Sequence, residues 1–309
     1  MATIIIWTIQ LILLPALSPL CVGIIRKMKA KFQNRQGAGV FQPYNDLRKL
    51  FNKDEVISSE ASWIFRFAPF IVFAATLAVT AGIPTFATFL SNELTSDILV
   101  VIYLLAIGTF FLALAGMDTG SAFGGFASSR EMTVAALAEG GVLFSLLTVA
   151  LISGTTNLFS ISGTDFISQF PPSLPVILAF MGFFIAMLAE TSRFPFDNPA
   201  THLELTMIHE AMILEYSGKK LALMEWAAAN KLMIFMALGS SLFFPWGIAN
   251  SLSFGVIVFS IFVFLLKILA FCFAIAFIES SIAKFRFFRL PDLLLASFVL
   301  SAIAIGLII

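Results

Sequence analysis

Eight stretches long enough to cross a bilayer run through this chain, near residues 4–25, 67–90, 98–117, 131–152, 174–190, 231–249, 252–278 and 291–309. About 20 consecutive apolar residues span a hydrocarbon core as a helix. In lipid a segment must satisfy its own backbone N–H and C=O groups, so such stretches fold as helices. Of the 309 residues, 60% are apolar and only 12% charged, and the mean hydropathy is +1.00. Soluble domains carry about twice that share of charge. The sequence therefore predicts an all-α membrane protein of about eight transmembrane helices in one domain and excludes soluble enzyme folds. The first apolar segment lacks a basic leader and a small-residue cleavage site, so it reads as a retained helix rather than a cleaved signal peptide.

The connections alternate in charge. Of the 18 Lys and Arg residues, all but Lys267 fall in the first, third, fifth and seventh connections, about 26–66, 118–130, 191–230 and 279–290, counting Lys231 at the border of the fifth. The positive-inside rule then puts these four in the cytoplasm and both termini outside. The formal net charge is zero, so nothing favours nucleic acid over a lipid bilayer as partner. The two cysteines, Cys21 and Cys272, stand far apart in apolar surroundings. Without a C-x-x-C pair the chain cannot build a thiolate zinc site or an iron–sulfur cluster by itself.

Two of the cytoplasmic connections carry a pattern. In the first, Phe41, Tyr44, Leu47, Leu50 and Phe51 recur at helical spacing, which predicts an amphipathic segment in the interface; a basic loop at the headgroups is the plainer alternative. In the fifth, Asn198-Pro199 reads as a helix start and Ser217-Gly218-Lys219-Lys220 as a helix end. A helix over about 199–216 sets Glu204 and Glu215 roughly 20° apart. It also carries His202, His209 and Glu210, a set suited to proton handling or docking. The imidazoles are seven residues apart with no H-E-x-x-H pattern, so no metal site is expected.

A charge within a span is penalised by roughly 2.5–3.5 kcal/mol on insertion scales, so each one needs a reason. Lys267 falls mid-span, and Glu139 lies about 12 Å inside the fourth span at 1.5 Å per residue. Glu139 and Lys267 read either as an ion pair between helices or as a polar path for protons. Glu190 and Glu279 close spans five and seven, Glu279 at headgroup level. Glu131 reads as the distal half of a Ser128-x-x-Glu131 capping box.

The run Glu190-Thr-Ser-Arg193-Phe-Pro195-Phe-Asp197, with Glu204-Leu205 and Glu215-Tyr216-Ser217-Gly218 downstream, resembles the signature of the complex I subunit 1 family. Asn34-Arg35-Gln36-Gly37-Ala38-Gly39-Val40, Asp46-Leu47-Arg48-Lys49-Leu50 and Ala68-Pro69 extend the likeness over nearly the whole chain. Gly116-Met-Asp118-Thr119-Gly120-Ser121 and Ala127-Ser128-Ser129-Arg130-Glu131 are similar to the hydrogenase branch, the membrane subunits of energy-converting nickel–iron hydrogenases and formate hydrogenlyases. Ala200 and His202 stand where the quinone-reducing branch has acidic residues, which sets quinone binding in question.

The resemblance implies a prokaryotic inner-membrane subunit at the junction with a hydrophilic redox arm. The nickel–iron centre and iron–sulfur clusters would then sit in a hydrogenase-like large subunit and an iron–sulfur small subunit, with antiporter-like membrane subunits alongside and no cofactor in this chain. Glu190, Arg193, Asp197, Glu204, Glu210 and Glu215 would shape the junction, with Arg35 and Asp46 from the first loop. Glu139 and Lys267 would form the buried path, and His202 and His209 would play a secondary part. The alternatives are the quinone-chamber subunit of a complex-I-like dehydrogenase and a stand-alone transporter; the latter would show repeats and broken helices, neither of which is evident.

Overall fold

The computed structural model describes residues 2–89, 95–163, 173–198 and 207–309, with side chains from residue 6 onward. Their regular structure is helical: α1 (Ala2–Phe32), α2 (Gln42–Phe51), α3 (Trp63–Gly82), α4 (Ile98–Asp118), α5 (Ala122–Ser153), α6 (Leu158–Gly163), α7 (Leu174–Glu190), α8 (His209–Met212), α9 (Gly218–Leu242), α10 (Phe254–Ser281) and α11 (Leu290–Gly306), the last entered through a 3-10 turn at Phe287–Arg289. Among the described residues seven helices are long and apolar enough to cross a membrane, and α7 is a shorter apolar one. Large side chains such as Phe259, Phe262, Phe273 and Phe277 are exposed on α10. A water-soluble helix would bury that face, and a membrane helix leaves it to lipid or to a neighbouring subunit.

Local chemistry sets the helix ends. Pro19 in α1 has no N–H for the carbonyl of Pro15, and the Trp226 indole N–H donates to it instead at 2.9 Å. The α3 start is capped by Ser62, whose hydroxyl accepts from Ile64 N–H. Asp118 at the end of α4 accepts from the N–H groups of Ser62 and Phe65. α3 stops at Gly82, short of the expected 90, because Pro84 follows closely and disfavours helical backbone before it. The first-loop pattern becomes a helix: α2 lies against α1 and α9.

Two starts come earlier than hydropathy indicates. α5 begins at Ala122 behind Ser121, so Ser128 and Glu131 lie inside it and form no capping box; the Ser128 hydroxyl bonds the Ala113 carbonyl across to α4. α9 begins at Gly218, so Ser217-Gly218 opens a span instead of closing a loop helix. Gly218 has φ of +55°, and a Cβ there would meet the Asp54 carbonyl oxygen at 2.7 Å. Only glycine suits both demands. The Ser217 hydroxyl joins the same contact, donating to the Val56 carbonyl and accepting from its N–H.

Close packing of α5, α7 and α11 uses small residues, as membrane helices do where backbones approach. The Ser297 hydroxyl donates to the Gly182 carbonyl at 2.7 Å. A Cβ on Gly182 would collide with the Ser301 hydroxyl and come within 2.8 Å of the Ser297 carbonyl oxygen, whereas one on Gly125 would meet nothing. Gly182→Val is therefore expected to destabilise the bundle by about 1–3 kcal/mol, read as a lower unfolding midpoint in detergent. Gly125→Val should leave the midpoint in place.

Candidate functional site

A cavity of about 170 Å³ opens inside the basic end of the bundle. One wall is apolar, with Val72 of α3 and Leu105 and Leu112 of α4. Facing it are Arg26 from α1, Asp46 from α2, Glu131 from α5, Glu190 at the end of α7, then Arg193, Asp197, His209 and Glu210, and finally Glu225 and Lys231 from α9. Six carboxyls thus face three permanent cations.

Two of those cations are already engaged. Glu190, 8% exposed, holds Lys231 at 2.8 Å, and the Lys231 ammonium also donates to the Thr109 hydroxyl at 3.1 Å. The second Glu190 oxygen has no hydrogen-bond partner among the described residues. Arg193 turns away to Glu279 at 3.2 Å. Arg26 is the cation that acts on Glu210 and Glu225, while Lys231 also acts on Glu131.

The turn after α7 fixes this arrangement. Ser192 takes the left-handed conformation at φ +50°, and the N–H groups of Ser192 and Arg193 bond the carbonyls of Ala189 and Leu188, closing the helix end as a Schellman turn. Asp197, 2% exposed, then gathers the next segment. One of its oxygens accepts from the N–H groups of Ile208 and His209, and the other accepts from Asn198 N–H and pairs with Lys284 at 2.6 Å. Glu279 is buried between Lys29 at 3.1 Å and Arg193, instead of standing at a headgroup surface. The Lys29 ammonium also sits 4.4 Å above the Phe194 ring.

The described part of the fifth connection is helical only over His209–Met212. A continuous helix to 216 is therefore not formed, and Glu215 lies exposed in the turn beyond it, away from the cavity. Tyr216 instead stacks on Phe65 at 3.9 Å and donates to the Phe65 carbonyl. Burial, reinforced by Asp118, raises its hydroxyl pKa. His202 and Glu204 lie outside the described residues. Arg35 is exposed and does not line the cavity.

Glu139 is half-buried one helical stretch beyond Glu131, within electrostatic reach of Glu190 and Lys231. Lys267 is not its partner: its ammonium donates to the carbonyls of Phe244 and Trp246 in the unwound stretch after α9. The mid-span lysine thus satisfies backbone carbonyls that no helix uses.

The places of Lys231, Glu131, Arg26 and Glu225 at this cavity are not evident from the sequence. Charge counting groups Lys231 with a loop, yet the Lys219-Lys220 pair marks the interface, and twelve residues at 1.5 Å each place Lys231 about 18 Å deeper. Among the described residues no three His, Cys, Asp or Glu side chains group as metal ligands. Cys21 and Cys272 are free buried thiols away from the cavity.

Burial, reinforced by Glu225 and Asp197 and opposed by Arg26, pushes the Glu210 carboxyl up to about 7. Burial together with Lys231, opposed by Asp197, pulls His209 down to about 4. At neutral pH the imidazole is therefore uncharged while Glu210 exchanges a proton readily. Folding favours protonated Glu210: its contribution to stability is full below the ordinary value of 4.5 and is lost as pH rises through about 7. Glu210→Gln should flatten that loss in detergent melts between pH 5 and 8. Asp197→Ala leaves the Ile208 and His209 amides without their acceptor, a loss of about 1–3 kcal/mol, and should speed hydrogen exchange at those two amides while α11 stays protected.

A family profile described as NADH dehydrogenase matches residues 4–309. Hydrogenase-4 component C of Escherichia coli (strain K12) is 35% identical over 295 residues, covering 96% of this chain and 92% of that one. Formate hydrogenlyase subunit 4 of the same organism is 30% identical, covering 94% of each. An NADH-quinone oxidoreductase subunit of Paraburkholderia phymatum is 30% identical over 221 residues, covering 68% of this chain and 62% of that one. A chain in the solved structure of the membrane-bound sulfane sulfur reductase, an archaeal respiratory membrane complex, superposes with a TM-score of 0.85 over 100% of both chains at 20% identity. That likeness shows the fold.

Proposed function

Because the chain belongs to the NADH dehydrogenase family, that of complex I subunit 1, we propose that it is the ion-coupling membrane-arm subunit of an energy-converting hydrogenase or formate-hydrogenlyase complex in a prokaryotic inner membrane. It seats the hydrophilic redox arm on its basic loops and links electron flow there to proton or sodium movement. Over most of their length the relatives with the higher identities are named as a hydrogenase component and a formate hydrogenlyase subunit, which supports that branch. Two buried thiols apart from the cavity offer no seat for a metal cluster. The nickel–iron centre and the iron–sulfur clusters then belong to a hydrogenase-like large subunit and an iron–sulfur small subunit, with antiporter-like subunits beside this one in the membrane.

The observation that carries the reading is the buried Glu190–Lys231 pair lining a cavity that five further carboxyls also line. A charge appearing in the docked arm changes the field at the rim. Glu210, with its pKa near 7, answers by taking or releasing a proton. The proton crosses the cavity to the unpartnered oxygen of Glu190, beside the Lys231 ammonium, and Glu131 and Glu139 continue inward. Asp197 and Arg193 are positioning residues, since their bonds hold the turn that carries Glu190 and His209. Glu204, Glu215 and His202 belong to the surface facing the redox arm, with Arg35 from the first loop and Asp46 at the rim.

A second reading, a quinone chamber, is favoured by the apolar wall facing an uncharged His209 and by the likeness to the NADH-quinone oxidoreductase relative. There His209 would donate a hydrogen bond to a quinone carbonyl, and the quinone would supply a two-electron acceptor. Hydrogen turnover by the purified complex without quinone dependence selects the first reading; inhibitor-sensitive quinone reduction selects the second.

In the assembled complex, Glu190→Gln and Lys231→Met should each lower coupled turnover about 100-fold, the scale of a lost proton-transfer group, while hydrogen oxidation with an artificial electron acceptor persists. Glu204→Gln should behave likewise. Wild-type turnover and wild-type proton translocation in the assembled Glu190→Gln complex would remove the assignment.

A further inference from the structure

The charged cavity reaches along α3 only as far as Thr76; beyond it the helix ends at Gly82 without a cap. The last four carbonyls of any helix lack an intrahelical donor. Here Ile83 turns extended and returns no bond to the helix, and Pro84 has no N–H to give. Outside the helix, no backbone N–H among the described residues bonds the carbonyls of Val79, Thr80, Ala81 or Gly82. The side chains that gather there bring more oxygens. The Gln10 amide N–H donates to the Ile83 carbonyl at 2.8 Å, which fixes the other end of that amide, Oε1, close to the helix end. Gln10 is 4% exposed and Thr85 2%, yet neither Gln10 Oε1 nor the Thr85 hydroxyl has a hydrogen-bond partner among the described residues. The Thr95 carbonyl oxygen packs on Gly82 and leaves no room for a Cβ, and the buried Thr95 hydroxyl is unpartnered as well. Buried polar atoms are normally paired, so three orphaned oxygens within a few residues of one uncapped helix end share a cause.

We propose that this helix end binds one alkali metal cation, sodium, on the Gln10 amide oxygen, the Thr85 and Thr95 hydroxyls and the last carbonyls of α3. The donor set selects the occupant. Every group is an oxygen and every one is neutral, while the helix end itself carries a partial negative charge that favours a cation. Helix C-termini and unwound carbonyls seat sodium inside membrane proteins for that reason. A divalent ion would draw on carboxylates, but Asp97, two residues past Thr95, spends its oxygens on the Leu99 N–H and the Thr156 hydroxyl. The Lys267 ammonium is held by the carbonyls of Phe244 and Trp246. A water molecule brings hydrogens but no charge to offset the dipole. The bound cation ties α1, the end of α3 and the entry to α4 together. The site uses none of the residues of the Glu190–Lys231 cavity, so it stands apart from the ion-coupling reading.

The test follows hydrogen exchange in the intact complex, in sodium chloride against choline chloride at equal ionic strength. Sodium should slow exchange over residues 79–88 about tenfold once it reaches about ten times its half-saturating concentration, with α11 unchanged. Thr85→Val has nearly the same shape and should abolish the sodium effect. It should not speed exchange in choline, because an unpaired buried hydroxyl contributes nothing to stability there. Thr85→Ser keeps the oxygen and should keep the effect. Exchange indifferent to sodium in the native complex overturns the proposal. So does a sodium effect that survives Thr85→Val, as a site filled by water would give, or one lost equally in Thr85→Ser.

Discussion

A lysine ammonium deep in α9 and a carboxylate at the end of α7 meet at 2.8 Å, and much of the basic end of this molecule follows from that meeting. Neither charge is tolerable alone at such depth; removing one member of a buried pair generally costs about 3–5 kcal/mol, because the survivor stays uncompensated. The pair therefore ties α7 to α9 and fixes where the turn after Glu190 must begin. Thr109 completes the ammonium's bonds from α4, drawing a third helix into the contact. One oxygen of Glu190 remains open toward the cavity, so the interaction that holds the helices together also leaves an acceptor unused.

Around that pair, a tier of bonds keeps the loops in register with the membrane helices. Asp197 joins the turn after α7 to the start of α8 and to Lys284, and Glu279 joins α10 to Lys29 of α1 and Arg193. The Phe285 N–H adds a bond to the Pro195 carbonyl. Three of the basic connections are thus tied to one another by buried bonds.

Lys267 illustrates a different solution to the same constraint. The stretch after α9 leaves helical geometry while still packed inside the bundle, and its carbonyls would lie unsatisfied in an apolar layer. The ammonium takes two of them, and the Trp246 ring lies 5.0 Å from it. A charged side chain in a span thus serves backbone chemistry, with no carboxylate among the described residues within ion-pair distance of it. Its distance in role from Glu139 follows from this geometry, although hydropathy alone pairs the two as the conspicuous charges of their spans.

The amino-acid sequence by itself determined the class of the protein, the place of nearly every span, the amphipathic helix of the first loop and the family motifs around Glu190 and Asp197. Hydropathy and helical spacing are local, additive properties, so a single chain of letters carries them. Only the tertiary structure decided that α9 starts at Gly218, that Glu131 lies within a helix instead of capping one, and that Glu215 points away from the cavity. These depend on partners distant in the chain: Gly218 is fixed by the Asp54 backbone, and Lys231 by Glu190. Whether a charge is a loop residue or a buried ion-pair member depends on the desolvation it suffers and the partner it meets, and packing sets both.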